Sequence, residues 1–200
     1  MSEPESSHLP LAPLRDLISW LKAESVPGVV IGGVAVAFLG RPRVTRDLDL
    51  VLITPENCWA KFLAAGAEFG FIPLRADALD FARANRVLLV QHEPSGINVD
   101  LSLGQLPFEQ EMLQRAEPRD VGGIEIPLPT PEDLIITKAV AHRPRDMADI
   151  EGILDVNPKV DRRRIRRWMR QFAEALEMPE LLDDLEELLA RRPKSRRKKR

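Results

Sequence analysis

Residues 31–52 read IGGVAVAFLGRPRVTRDLDLVL, and the order of residue types in this stretch decides the fold. Val29-Val30-Ile31 is a short β-branched run, and Gly32-Gly33 separates it from an apolar helix, Val34 to Leu39. Gly40 to Arg46 is a loop with three arginines, followed by a strand, Asp47 to Ile53 (DLDLVLI). Alternation along that strand places Asp47 and Asp49 on one face and Leu48 and Leu50 on the other. Two carboxylates side by side repel each other, and a cation between them relieves the cost. Hard oxygen ligands on one edge suit Mg²⁺, which keeps several waters and completes its shell with substrate phosphates. A glycine pair at the strand-to-helix junction lets backbone approach a phosphate, and the helix N-terminus offers it unpaired N–H groups.

Reading outward, Leu14, Leu17, Ile18 and Leu21 recur at helical spacing, which predicts a first helix from about Pro13 to Glu24. Pro27-Gly28 ends it. Thr54-Pro55-Glu56 starts a helix lasting to about Phe69, and residues 70–85 are ambiguous. Arg86 to Gln91 and Ile97 to Leu103 are two further strands, joined by His92-Glu93-Pro94-Ser95-Gly96 as an antiparallel hairpin. In the second of them Ile97, Val99, Leu101 and Leu103 form an apolar face, with Asn98, Asp100 and Ser102 on the other. Asp100 thereby repeats the logic of Asp47 and Asp49. A third carboxylate on a neighbouring strand completes a site for two metal ions of the kind that serve phosphoryl or nucleotidyl transfer. A short helix near Phe108–Arg115 and a small strand, Ile124 to Leu128, follow. Beyond Pro127 the pattern is helical throughout, over about 131–142, 145–155, 161–177 and 179–190. Thr130 stands at the N-cap of the first of these, with Pro131 at the first helical position.

The expected fold class is therefore α/β (α+β). A Pro-rich, disordered N-terminus covers 1–13, a mixed core 14–128, a helical region 129–190 and a basic disordered tail 191–200. One cysteine, Cys58, excludes a disulfide scaffold and fits a reduced, cytoplasmic compartment. No apolar run reaches about eighteen residues, which excludes a spanning helix. The formal charge of −2 hides an asymmetry: residues 191–200 hold eight Lys and Arg, and the rest carries 21 basic against 31 acidic residues. An acidic globule with a cationic tail results.

Gly32-Gly33, then Asp47-x-Asp49, then the later Asp100 resemble the DNA polymerase beta-type nucleotidyltransferases. Within that superfamily, residues 31–52 are most similar to the AbiEii-like toxin and minimal nucleotidyltransferase branch, through the Arg43-x-Thr45-x-Asp47-x-Asp49 approach to the acids. The resemblance covers about residues 25–155. It implies the nucleotidyltransferase fold, a small mixed sheet flanked by helices with a helical region behind it. It also implies transfer of a nucleoside monophosphate from an NTP to a hydroxyl of RNA, tRNA included, or of protein. Two Mg²⁺ ions, with Mn²⁺ as the alternative, would sit on Asp47, Asp49 and Asp100. Gly32, Gly33, Thr45, Arg46 and Lys138 would bind the nucleotide. Arg143, Asp146 and Asp149 match a supporting segment of that branch. A cognate antitoxin is an implied partner, in a toxin–antitoxin or phage-defence setting. One departure is that Gly33 stands where many catalytic relatives carry serine. A catalytically silent nucleotide- or RNA-binding module and an antibiotic-modifying enzyme remain the competing readings.

Plainer readings stand beside these. Lys138 lies among Ile135, Ile136 and Ala139, where a lysine can snorkel. Arg143, Arg145, Asp146 and Asp149 fit helix-surface ion pairs, worth little. Thr45 and Arg46 fit ordinary loop residues. The basic amphipathic helix Lys159–Arg170 fits either a solvated face or a phosphate-binding one. His8, His92 and His142 lack metal-site spacing, and Cys58 fits a helix or core thiol.

Overall fold

The computed structural model describes residues 9–191, in two compact units. One holds the chain up to Ala35 together with Arg43–Pro129; the other holds Val36–Pro42 and the chain from Thr130. In chain order the first contains α1 (Leu11–Ala23), β1 (Gly28–Val30), the opening turn of α2 (Gly32–Leu39), β2 (Asp47–Leu52), α3 (Trp59–Ala65) and β3 (Phe71–Pro73). It continues with α4 (Ala78–Asn85), β4 (Val87–His92), β5 (Ile97–Leu103), α5 (Pro107–Gln114), β6 (Glu117–Val121) and β7 (Ile124–Leu128). Five strands form one mixed sheet in the order β1-β2-β5-β4-β3. Within it β2 and β5 run parallel and every other pair antiparallel. The expected α/β class and the β4–β5 hairpin are both present.

Register follows from the apolar faces. Leu48, Leu50, Val99, Leu101, Leu88 and Val90 are all fully buried. A one-residue slip of β2 would drive its leucines into water and its acids into the core. The pairing that results sets Asp49 opposite Asp100 and Asp47 opposite Asn98. At the other end of the unit Trp20 is fully buried, stacked on Phe62 at 4.3 Å and on Phe71 at 5.2 Å between ring centroids. Its indole N–H donates to the Phe62 carbonyl at 3.1 Å. Gly66 makes this possible, because a Cβ there would stand 2.7 Å from the Trp20 ring.

Several boundaries differ from expectation. The first helix begins at Leu11 rather than Pro13, so residues 11–13 are helical, not disordered. Proline in the first turn lacks only an N–H that would have had no partner there. The helix expected over 54–69 is a 3₁₀ turn Glu56–Cys58, then α3, then a 3₁₀ turn Gly66–Phe69. Of the two readings of Cys58, helix or core thiol, the helical one holds: it ends the 3₁₀ turn and is exposed. The ambiguous 70–85 stretch divides into β3 and α4, and β6 is a strand that the periodicity does not announce.

The second unit contains α6 (Pro131–Ala141), α7 (Pro144–Val156), α8 (Arg162–Ala175) and α9 (Glu180–Ala190). The Thr130 hydroxyl accepts from the Asp133 N–H at 3.3 Å, as an N-cap should, and Asp161 caps α8 through the N–H groups of Arg163 and Arg164. Val36–Pro42 belongs here for steric reasons. A Cβ on Gly152 would lie 3.2 Å from the Arg41 backbone, and one on Gly40 would lie 3.1 Å from Ile153. The Asn157 side chain donates to the Leu39 carbonyl at 2.6 Å. On α8, Ile165, Trp168 and Met169 are buried, while Arg163, Arg167 and Arg170 form an exposed stripe at i, i+4, i+7. Residues 1–8 and 192–200, expected as disordered ends, lie outside the described residues. Among the described residues no helix is long and apolar enough to cross a membrane.

Candidate functional site

The sheet register gathers three acids on one face of β2 and β5. Asp49 is half-buried, and Asp47 and Asp100 are exposed. The chain enters α2 beside them, held by the Ile31 N–H donating to the Asp49 carbonyl at 2.8 Å. Gly32 has φ +62°, a left-handed conformation, and a Cβ there would fall inside the Asp49 carboxylate, 2.8 Å from its Cβ. A Cβ on Gly33 would overlap the Thr45 hydroxyl, 2.7 Å from Thr45 Cβ and 3.3 Å from the Arg43 guanidinium. The glycine pair therefore brings the first turn of α2 directly against Asp49, Thr45 and Arg43. Thr45 is buried and its hydroxyl donates to the Asp47 carboxylate at 2.8 Å. Arg46 is exposed.

The electrostatics of this face are those of like charges held together. Burial pushes the Asp100 carboxyl above the usual carboxylate range, and the negative charge of Asp47 pushes it further. Among the described residues no three His, Cys, Asp or Glu already stand at metal-holding spacing. Mg²⁺, however, takes only one or two carboxylates from protein when phosphates supply the rest. The donor set is oxygen alone, on adjacent strands in matching register, beside a helix N-terminus. Its chemistry fits a hard divalent cation carried with a polyphosphate.

The other sequence candidates lie in the second unit, where they pair with one another. Lys138 is buried at 4% exposure, and its ammonium donates to Asp146 at 2.8 Å and faces Asp149 at 3.0 Å. Arg143 donates to Asp146 at 2.6 Å. Burial alone would raise the Asp146 carboxyl, but hydrogen bonds from Arg143 and Lys138, with their charges, hold it below the usual range. Of the two readings of Lys138, phosphate ligand or structural lysine, this arrangement favours the structural one, although the lysine is clamped rather than snorkelling. Lys138, Asp146 and Asp149 are a buried ion network, with Arg143 reaching it from the exposed surface. Asp133 and Arg164 form a second buried pair at 2.8 Å. Sequence reasoning passed over Arg43, whose only signal was its place in the Arg-x-Thr-x-Asp-x-Asp run.

No curated protein matches this sequence. Among solved structures, an antigenic nucleotidyltransferase-like protein from Paracoccidioides brasiliensis is 17% identical with a TM-score of 0.54, over 88% of this chain and 92% of its own. The antibiotic-resistance factor ANT(2'')-Ia is 13% identical with a TM-score of 0.58, over 85% and 94%. Likeness at that identity speaks for the fold, and it is the fold expected from residues 31–52. Residues 11–187 match the family described as nucleotidyl transferase of unknown function, DUF2204, and the chain belongs to that family of nucleotidyltransferases.

Proposed function

We propose that the first unit transfers a nucleoside monophosphate from a Mg²⁺-bound NTP to a hydroxyl of an RNA acceptor, releasing pyrophosphate. The observation that carries this reading is the register of Asp49 with Asp100 on parallel strands beside the Gly32-Gly33 turn. Asp47, Asp49 and Asp100 would between them hold two Mg²⁺ ions, which when bound supply neutralising charge to the phosphate oxygens. The first turn of α2 receives the triphosphate through its backbone N–H groups. Arg43 and Arg46, rather than Lys138, supply positive side chains there. Asp100 would take the proton as the acceptor O–H bond breaks. The acceptor oxygen then bonds the α-phosphorus, and the bond from that phosphorus to the bridging β-phosphate oxygen breaks.

The exposed Arg163, Arg167 and Arg170 stripe supports a polyanionic acceptor. A toxin of the AbiEii-like kind, restrained by an antitoxin, is the setting that the Arg43-x-Thr45-x-Asp47-x-Asp49 run supports. The test is incubation with each α-³²P-labelled NTP and total cellular RNA in Mg²⁺. Label entering RNA with wild-type protein, and not with Asp49→Asn, is the expected result. Label entering protein instead would replace RNA as the acceptor. Pyrophosphate release from no NTP under any acceptor condition would remove the reading.

A further inference from the structure

We infer that Thr45 is a positioning residue that aims the Asp47 carboxylate, and that Gly33 is the residue that makes room for it. The inference deepens the proposed site and rests on that reading for its metal and nucleotide. Thr45 is 7% exposed, while its neighbour Val44 is 61% exposed and Arg46 is also in solvent. A buried side chain between two exposed neighbours has been turned inward. The groups it meets there are chemical rather than merely apolar. Its hydroxyl has one proton, and it places that proton on Asp47 Oδ1 at 2.8 Å, closer than the Asp47 carbonyl at 3.3 Å. A hydroxyl donating to a carboxylate makes a charge-assisted bond, roughly twice as strong as a neutral one.

That bond has work to do, because Asp47 and Asp100 repel each other. An exposed carboxylate under repulsion swings away into water unless something holds it. Thr45 holds one oxygen and leaves the other for a ligand. Groups that orient a metal-binding carboxylate typically matter about 10–100-fold in metal affinity. Gly33 is the other half of the device. A Cβ at 33 would stand 2.7 Å from Thr45 Cβ and overlap its hydroxyl. Any side chain at 33 therefore displaces Thr45, and with it the hold on Asp47. The hydroxyl nearest the first turn of α2 thus comes from the loop, and residue 33 has to be glycine for it to fit.

The test uses the full chain and two readouts. Free Mn²⁺ is followed by electron paramagnetic resonance, with and without ATP, for wild type, Thr45→Val, Thr45→Ser and Gly33→Ala. Thr45→Val should weaken Mn²⁺ uptake about 10–100-fold, Thr45→Ser should recover it to within a few fold, and Gly33→Ala should resemble Thr45→Val. Should Thr45→Val fail to fold, Thr45→Ala, which removes the hydroxyl without adding bulk, takes its place. Wild-type uptake by the valine or alanine variant, or serine no better than valine, overturns the inference. The second readout needs no ligand: urea unfolding of Thr45→Val, Asp47→Ala and the double variant. The double variant should lose no more stability than the worse single one, because both singles break the same bond. Strictly additive losses overturn the positioning role even if Mn²⁺ binds. Wild type that takes up neither Mn²⁺ nor ATP, with the unfolding cycle still coupled, would instead sink the functional reading and leave the Thr45–Asp47 pair standing.

Discussion

Each unit gathers carboxylates, and the two gatherings are opposite in sign of strain. In the second unit Asp146 sits fully buried, yet Arg143 and Lys138 pull its proton affinity down. In the first, Asp100 is exposed, yet burial of its surroundings and the charge of Asp47 push its proton affinity up. The second cluster is finished as it stands: its cations are part of the chain. In the first, Asp47 and Asp100 stay like charges on one face of the sheet, which is the condition that a metal–nucleotide site exploits. Strained carboxylates point to chemistry, and satisfied ones to architecture.

If the contrast holds, the largest stability effect belongs to the finished cluster. Lys138→Met should cost about 3–5 kcal/mol in urea unfolding, because it removes the buried cation that Asp146 and Asp149 share. A loss under about 1 kcal/mol would mean that the network is slack, and Lys138 would return as a candidate ligand. Next in size is Gly32→Ala. Its Cβ would invade the Asp49 carboxylate from a left-handed backbone, so a loss of roughly 1–3 kcal/mol is expected, with Mg²⁺–ATP binding lost as well. A variant that folds and binds normally would show the glycine to be incidental.

The pH dependence separates the clusters further. Asp146 has a folded value below its unfolded one. Its contribution is therefore present above about pH 4, near the ordinary aspartate value, and lost as pH falls through the lower folded value. Asp146→Asn should remove that part of the acid-unfolding profile while weakening the protein at neutral pH. Asp100 has the opposite sign: folded above unfolded, it costs stability at neutral pH, and the cost vanishes as acid protonates it. Asp100→Asn should therefore stabilise the ligand-free protein at pH 7. The gain is limited by solvent screening to less than about 1 kcal/mol, or up to about 2–4 °C in Tm. A fall in Tm would mean that Asp100 is a structural acid after all.

The sequence revealed the elements that carry local chemistry. Alternation in DLDLVL and INVDLSL exposed both apolar faces and put the three acids opposite them, because a half-buried strand must alternate. Thr130-Pro131 marked a helix start for reasons confined to one turn. What stayed hidden depends on neighbours distant in the chain. β6 (EPRDV) has four exposed residues in five, so it has no period to read. Lys138 carries no mark of the carboxylates eight and eleven residues later that neutralise it. Gly33 read as a missing serine, and only the fold reveals that Thr45 occupies the space. Val36–Pro42 leaves the unit that its neighbours belong to because Gly40 and Gly152 permit close packing, which no window of sequence displays.

The most direct measurement is calorimetric titration of Mg²⁺ with α,β-methylene nucleotides, which bind without reacting, into wild type and Asp49→Asn. Wild type should bind at one site, and Asp49→Asn should bind at least tenfold more weakly while remaining folded. Equal affinity in a folded Asp49→Asn protein would contradict the assignment of the β2–β5 acids as the nucleotide site.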